Sequence, residues 1–264
     1  MNTLIKWGLA ICSNVLVSFF TNASTLTIAA AADLRFAFAE LKREFESEQA
    51  NHDDHISLQI IYGSSGKISN QIRQGAPFDI FFSADQRFTK ALFQEQLTTD
   101  AGTLYAKGRL VLWSAKHNLQ NLQLEELRDA KFKKIAIAEP THAPYGERAR
   151  QILIASGIWP EVRSKMVFGE NIAQTAQFAQ SGAADVAFIA LSLIKNPQLT
   201  NPNNYQLLDA NLHQPLNQAY AVTKLGAGKP QSSKFTAFMN SAQAKQILQK
   251  YGFELPQQTT GNKQ

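Results

Sequence analysis

The hydrophobic positions in the first third of the chain follow two different periods. Residues 26–30 form a short, continuous apolar run of the kind found in buried strands. Leu34, Phe38, Leu41 and Phe45 then recur at the spacing of one helical face, which predicts a helix over residues 34–48. The same patterns predict strands over 55–62 and 79–83 and helices over 67–74 and 86–94. This alternation indicates a mainly parallel sheet covered by helices on both faces.

A second series of the same kind begins near Tyr105. Its patterns predict strands over 110–114, 134–138, 186–190 and 218–223 and helices over 146–156, 171–181, 233–239 and 242–251. Residues 196–204 are rich in Pro and Asn, which predicts a surface loop. Two α/β series favour two lobes, with ligand sites at the carboxyl ends of the strands.

The first residues have the pattern of a secretory signal. Lys6 precedes an apolar run over residues 7–20, and Thr21-Asn22-Ala23 supplies a small residue for cleavage after Ala23. A membrane anchor is the alternative, but the run is shorter than the roughly 20 residues that a span needs. Cys12 lies inside the apolar run and follows Ile11, which argues against a lipoprotein. We therefore expect a mature chain without cysteine that functions outside the cytosol.

Composition narrows the classes of function further. The chain has 264 residues, of which 44% are hydrophobic, and this is enough for one or two globular domains. Its 26 basic residues exceed its 21 acidic ones, but they are scattered, which argues against nucleic-acid binding. The single cysteine excludes an internal disulfide or a cysteine zinc site. His52-Asp53-Asp54-His55 has metal-binding residue types, but a solvated turn ahead of a strand is the better interpretation.

Four predicted strand-to-helix junctions carry small or hydroxylic residues, over 29–33, 63–67, 140–146 and 169–172. A helix N-terminus has unpaired N–H groups and a partial positive charge, so several that converge would bind an anion. Ordinary capping is the alternative: Ser65 and Asn171 are favoured N-cap residues, and Asn171 with Gln174 resembles a capping box.

The glycine-serine turn over residues 63–67 does not have a catalytic spacing. A P-loop requires Gly and Ser or Thr where the chain has Ile61 and Ile68, and a serine-hydrolase elbow requires a single Ser between two Gly residues. The five histidines also lack the spacing of metal ligands or of a catalytic base. We expect a protein that is not an enzyme.

Several runs, taken together, resemble those of periplasmic molybdate-binding proteins. They lie in the family's order and spacing along nearly the whole mature chain, and they are Ala29-Ala30-Ala31-Ala32-Asp33-Leu34, Gly63-Ser64-Ser65-Gly66, residues 75–85, residues 105–112, Ala143-Pro144-Tyr145-Gly146, Gly169-Glu170-Asn171-Ile172 and Lys250-Tyr251-Gly252-Phe253. The resemblance implies a two-lobed α/β periplasmic-binding-protein fold. In that fold each lobe is a mainly parallel sheet flanked by helices, and two crossing strands join the lobes.

The resemblance also implies where a tetrahedral oxyanion would bind. It places the contacts at Asp33, Ser65, Tyr145 and Ile172, with a hydroxyl and an N–H from Ser65 and backbone N–H groups from Tyr145 and Ile172. Asp33 departs from the family, which generally has Ser or Thr there. An ionised carboxylate only accepts hydrogen bonds. We expect it to turn away and cap its own helix; protonation, or a charge offset by Arg35 or Lys67, are the alternatives.

The resemblance implies further features of the molecule. Lobe one would comprise residues 24–106 and 219–256, lobe two residues 107–218, and residues 257–264 a polar tail. The family's occasional tyrosine contact falls near Ala190 and is absent here.

Taken together, the expected function is capture of molybdate, and of tungstate as well, for delivery to a membrane ABC permease. We expect a periplasmic monomer with no cofactor, no nucleic-acid partner and no metal contact other than through the oxyanion. A same-fold binding protein for sulfate, phosphate or a carboxylate is the alternative. A secreted enzyme and the effector domain of a transcription regulator are more distant ones.

Overall fold

The computed structural model describes residues 24–51 and 55–256. The predicted signal segment, the turn residues 52–54 and the predicted tail lie outside these residues. Within them, no helix combines the length and apolar character needed to cross a bilayer.

The first sheet has five strands. They are β1 (Ser24–Ala31), β2 (Ile56–Gly63), β3 (Ile80–Ser83), β4 (Thr103–Gly108) and β10 (Leu216–Val222), in the order β2-β1-β3-β10-β4. The strands β1, β2 and β3 are parallel, and β10 runs antiparallel to both of its neighbours. The helices that this part of the chain supplies are α1 (Arg35–Ala50), α2 (Ser65–Arg73), α3 (Gln86–Gln94), α7 (Pro230–Met239) and α8 (Ala242–Lys250).

The second sheet also has five strands. They are β5 (Leu110–Trp113), β6 (Ile135–Ala138), β7 (Met166–Gly169), β8 (Val186–Ala190) and β9 (Tyr205–Leu207), in the order β7-β6-β8-β5-β9. Its helices are α4 (Pro144–Ala155), α5 (Trp159–Val162) and α6 (Ile172–Gln180). The expected two-lobed α/β fold is therefore confirmed.

The chain crosses between the sheets twice. Arg109 alone separates β4 from β5, whereas the return from β9 to β10 takes residues 208–215. The predicted lobe boundaries at 106/107 and 218/219 fall close to these crossings. That the two lobes move relative to each other at these boundaries stays a prediction.

Each sheet is packed against its own core. Around the first, Phe38, Phe45, Phe82 and Phe235 form edge-to-face ring contacts with centroids 4.9 to 6.2 Å apart. Such contacts stabilise a core beyond the burial of apolar area. The second core includes the fully buried Trp113. The second core also takes in Ala31, Ala32 and Ala84 of the first lobe, so the two lobes pack against each other at the carboxyl ends of their strands.

Strand register brings the four junctions together in pairs. Ala31 at the end of β1 is opposite Gly63 at the end of β2, and Ala138 at the end of β6 is opposite Gly169 at the end of β7. Because the two strands of each pair are parallel, the chain leaves both strands at the same end of the sheet. The first two junctions thus lie side by side in one lobe, and the last two in the other.

Helix boundaries differ from the prediction where it matters for the site. The helix predicted over 67–74 begins at Ser65, and the helix predicted over 146–156 begins at Pro144. Proline is favoured in the first turn of a helix because its missing N–H would be unpaired there in any case. Both shifts place a predicted contact residue in the first turn, where N–H groups are free.

Candidate functional site

A small cavity lies between the two lobes at these junctions. Its free space is far smaller than that of a pocket for a drug-sized ligand. All four residues predicted for the site line it; the full lining is Ala31, Ala32, Asp33, Gly63, Ser64, Ser65, Ala84, Ala143, Pro144, Tyr145 and Ile172. The structure thus brings together residues that are up to 139 positions apart in the sequence, counted from Asp33 to Ile172.

Ser65 is the first residue of α2, so its backbone N–H has no partner within the helix. Its side-chain oxygen accepts a hydrogen bond from the Ala84 N–H at 2.9 Å. Because the oxygen accepts this bond, the hydroxyl hydrogen is left to donate to a ligand. The capping interpretation of Ser65 is wrong: Ser64 occupies the N-cap position, and neither serine side chain caps the helix.

Tyr145 lies in the first turn of α4, held close to the second sheet. A Cβ on the next residue, Gly146, would lie 1.8 Å from the Ala138 carbonyl oxygen, so only glycine permits this approach of helix and strand. The backbone N–H of Tyr145 is among the unpaired donors of the helix start.

Ile172 begins α6 and offers the fourth junction's free N–H. The Asn171 side chain caps this helix by accepting from the N–H groups of Ala173 and Gln174, at 3.0 and 3.1 Å. The expected capping box is displaced by one residue, since Gln174 accepts from the N–H of Glu170 instead of that of Asn171. The cap leaves the Ile172 N–H, on the cavity wall, for a ligand.

Asp33 does not cap its own helix, and that expectation is wrong. The segment Ala32–Leu34 has no side-chain cap. Instead, Asp33 Oδ2 accepts from the Tyr145 hydroxyl at 2.9 Å and from the Gln218 side-chain amide at 2.6 Å. The backbone N–H groups of Asp33 and Leu34 also lower the carboxyl pKa, but less than these two side-chain donors do. Asp33 is fully buried, and its Oδ1 has no hydrogen-bond partner among the described residues.

These contacts belong to a buried network that reaches the crossing strands. Tyr105 on β4 donates to the Gln218 side-chain oxygen at 2.6 Å, and the Gln218 amide nitrogen also lies 3.1 Å from the Tyr145 hydroxyl. Sequence reasoning missed Tyr105 and Gln218. The signal available for Gln218 was a lone polar residue at the start of a predicted strand.

Burial raises the pKa of Asp33 from its ordinary 3.8 to about 6, against the opposing effect of the hydrogen bonds from Gln218 and Tyr145. Burial also raises the pKa of Tyr105 and of Tyr145 well above that of an ordinary tyrosine, and the nearby Asp33 charge adds to both shifts. Both phenols therefore remain neutral donors at physiological pH.

Neither Arg35 nor Lys67, the two cations proposed to offset the charge of Asp33, pairs with its carboxylate. The Arg35 guanidinium lies over the Tyr62 ring, 5.4 Å from its centroid. Lys67 forms a salt bridge of 3.0 Å with Glu170 across the mouth of the cleft. Within the described residues, no cluster of three or more His, Cys, Asp or Glu side chains could hold a metal ion.

Further contacts hold the lobes together around the cavity. Arg148 of α4 forms a 2.6 Å salt bridge with Asp85, which precedes α3, and both are almost fully buried. His142 accepts from the Gly66 N–H through its carbonyl at 2.9 Å, and its Nδ1 lies 2.8 Å from the Ser64 hydroxyl. The structure is therefore a closed form of the cleft.

Fold and cavity together define a two-lobed solute-binding protein architecture. Residues 26–254 match the family described as bacterial extracellular solute-binding protein, and the chain belongs to that family.

Relatives of this chain include proteins named molybdate-binding protein ModA. One from Azotobacter vinelandii is 30% identical over 242 residues, which cover 91% of this chain and 94% of the relative. Another from Rhodobacter capsulatus is 32% identical over 193 residues, covering 73% and 75%. The solved periplasmic molybdate-binding protein of Azotobacter vinelandii matches with a TM-score of 0.81 at 31% identity, over 88% of this chain and all of that one.

Proposed function

We propose that this protein binds molybdate between its lobes, and tungstate as well, and delivers the anion to an ABC permease. The observation that carries the proposal is the closed cavity whose wall includes Asp33, Ser65, Tyr145 and Ile172, each at the start of a helix. The names of the relatives in Azotobacter and Rhodobacter support molybdate as the anion.

Uncharged hydrogen-bond donors alone are sufficient for micromolar affinity for the anion. A hydrogen bond to a charged group contributes about 1.5 to 3 kcal/mol, so five or six contribute on the order of 10 kcal/mol before ordering costs. After those costs, we expect a Kd for the anion of about 1 μM or somewhat tighter. Because no ion pair with a side chain must break, the anion can also leave for the permease.

We also propose that the protein functions in the periplasm. Residues 1–23 would act as a cleaved signal, and the mature protein would be a monomer without a cofactor. Its role would be capture and not catalysis, as the names of its relatives support.

The test is isothermal titration of the chain from residue 24 onward with molybdate, tungstate, sulfate and phosphate. We expect micromolar or tighter binding of molybdate and tungstate and little binding of sulfate. Sulfate carries the same charge and the same number of oxygens, so selection against it must come from the size of the cavity. Equal affinity for sulfate and molybdate would overturn the proposal.

A second candidate is a same-fold protein for an oxyanion that carries its own proton, such as hydrogen phosphate. The observation that favours it is Asp33, whose Oδ1 lacks a donor among the described residues. An ionised carboxylate would accept a hydrogen bond from such an anion. Tighter binding of phosphate than of molybdate in the same titrations would favour this function.

A further inference from the structure

We propose that Asp33 enters the complex as a neutral carboxylic acid, so that the protein takes up one proton with each oxyanion dianion. The inference rests on the proposed function. Its basis is geometric: the Asp33 side chain is fully buried in the wall of the anion cavity, and its Oδ1 has no partner among the described residues. A protonated Oδ1 would become a hydrogen-bond donor at a position where an ionised one repels the ligand.

The two groups that bind the other carboxyl oxygen cannot neutralise it. Tyr145 and Gln218 donate to Oδ2 as neutral groups. Tyr105, behind Gln218, is also neutral, because burial raises the pKa of both phenols well above the ordinary value. The carboxyl is therefore hydrogen-bonded but keeps its full negative charge whenever it is ionised.

The cations on the surrounding elements have other partners. Each lies against an aromatic ring or a different carboxylate: Arg35 of α1 over Tyr62, Lys67 of α2 with Glu170, Arg87 of α3 with Glu147, Arg148 of α4 with Asp85, and Lys107 and Arg109 at the crossing with Glu254. On the 3-10 turn after β8, Ser192 donates to the Asp33 carbonyl, and Lys195 is exposed. At the cleft mouth, burial and the nearby Lys67 lower the pKa of His142, which favours its neutral form.

A dianion beside this carboxyl would favour the protonated form further. Like charges disfavour ionisation, so the ligand raises the pKa of Asp33 above the value of about 6 that burial gives it in the closed form without ligand. Below that pKa the carboxyl is already neutral, and binding takes up no further proton. Above it, each binding event must bring a proton, and affinity falls as pH rises.

The experiment is isothermal titration with sodium molybdate in buffers of different ionisation enthalpy, kept above about pH 6 so that the free anion remains a dianion. With a carboxyl that is about one-tenth protonated at pH 7, we expect an uptake of about 0.9 proton per molybdate there. Over the next units of pH, the Kd weakens by up to about tenfold per unit. Asp33→Ser and Asp33→Asn should bind molybdate with an uptake near zero and a flat pH profile.

The control is Glu170→Gln, which removes a carboxylate from the rim and not from the cavity wall. It should retain the proton uptake even if its Kd shifts. Wild-type protein that binds molybdate without taking up a proton would overturn the inference and leave the proposed function intact. So would uptake that persists in Asp33→Asn. No molybdate binding at any pH by the folded protein would instead contradict the proposed function.

Discussion

The hydroxyl of Ser65 is oriented by the protein itself. Since the Ala84 N–H donates to the oxygen, the hydroxyl hydrogen is directed away from that bond. We predict that Ser65→Ala weakens molybdate binding by about 1 to 3 kcal/mol, the usual cost of removing one partner of a buried hydrogen bond. Isothermal titration measures the change.

Ser69 provides a matched control for that substitution. It lies on the same helix, is fully buried, and its hydroxyl has no partner among the described residues. Ser69→Ala should therefore leave the affinity unchanged. Equal losses in the two variants would mean that Ser65 supports the helix and does not contact the ligand.

Single residues show how far the sequence determines the site. The strand-to-helix junctions that contain Ser65, Tyr145 and Ile172 were recognisable from the sequence pattern, and the family resemblance selected these residues within them. Their role as contacts stays a prediction. The surroundings of Asp33 were not predictable, because its partners Tyr145 and Gln218 lie 112 and 185 positions away in the sequence. Local propensity favours capping by an aspartate at a helix start, and only the assembled lobes supply the stronger donors.

At the scale of elements, the cap of α6 links stability to binding. Asn171→Ala should lower the free energy of unfolding by about 0.5 to 2 kcal/mol, the usual cost of losing a side-chain N-cap. It should also weaken molybdate binding, because the cap fixes the turn that presents the Ile172 N–H. Urea unfolding and titration measure the two effects.

Ser241, which caps α8 through the Ala244 N–H and is not part of the cavity lining, separates the two effects. Ser241→Ala should lose a similar amount of stability and keep the wild-type Kd. If Asn171→Ala also kept the wild-type Kd, Ile172 would not be a contact.

Three strands escaped prediction for a common reason. The first, β4, lies at an edge of the first sheet, and its first two residues are exposed. Both β7 and β9 lie at the edges of the second sheet, where side chains are partly exposed. Strand β9 has only three residues, and its Tyr205 and Leu207 are 37% and 46% exposed. Hydrophobic patterns identify strands that are buried on one or both faces, so the central strands and the alternating edge strand β2 were found and these three edge strands were not.

At the scale of the whole molecule, the Arg148–Asp85 salt bridge ties one lobe to the other. Removing one partner of a buried ion pair leaves a buried charge without compensation, which costs about 3 to 5 kcal/mol. Arg148→Met should lower the free energy of unfolding by less than this in urea titrations, because Arg87 Nε still lies 3.3 Å from the Asp85 carboxylate. The double variant Asp85→Asn with Arg148→Met should recover most of it, since no charge is left unpaired and Asn still caps α3. A double variant as unstable as the single one would contradict this.

The alternation of strands and helices predicted the two-lobed architecture, but not its closure. The sequence contains no sign that Arg148 and Asp85, 63 positions apart, meet across a cleft. That contact depends on how two finished lobes approach each other, and hydrophobic periodicity within each lobe contains no information about it.

Gly108 ends the first crossing strand, and a carbon added there would lie 2.2 Å from the Tyr145 hydroxyl oxygen and 2.8 Å from the Gln218 amide nitrogen. Every other amino acid carries at least that carbon. Any side chain at this position must therefore displace the Tyr145 hydroxyl or the Gln218 amide, the two groups that donate to Asp33, although Gly108 is absent from the cavity lining. We therefore expect related proteins to keep glycine at position 108 because of how the two lobes close, whichever anion they bind.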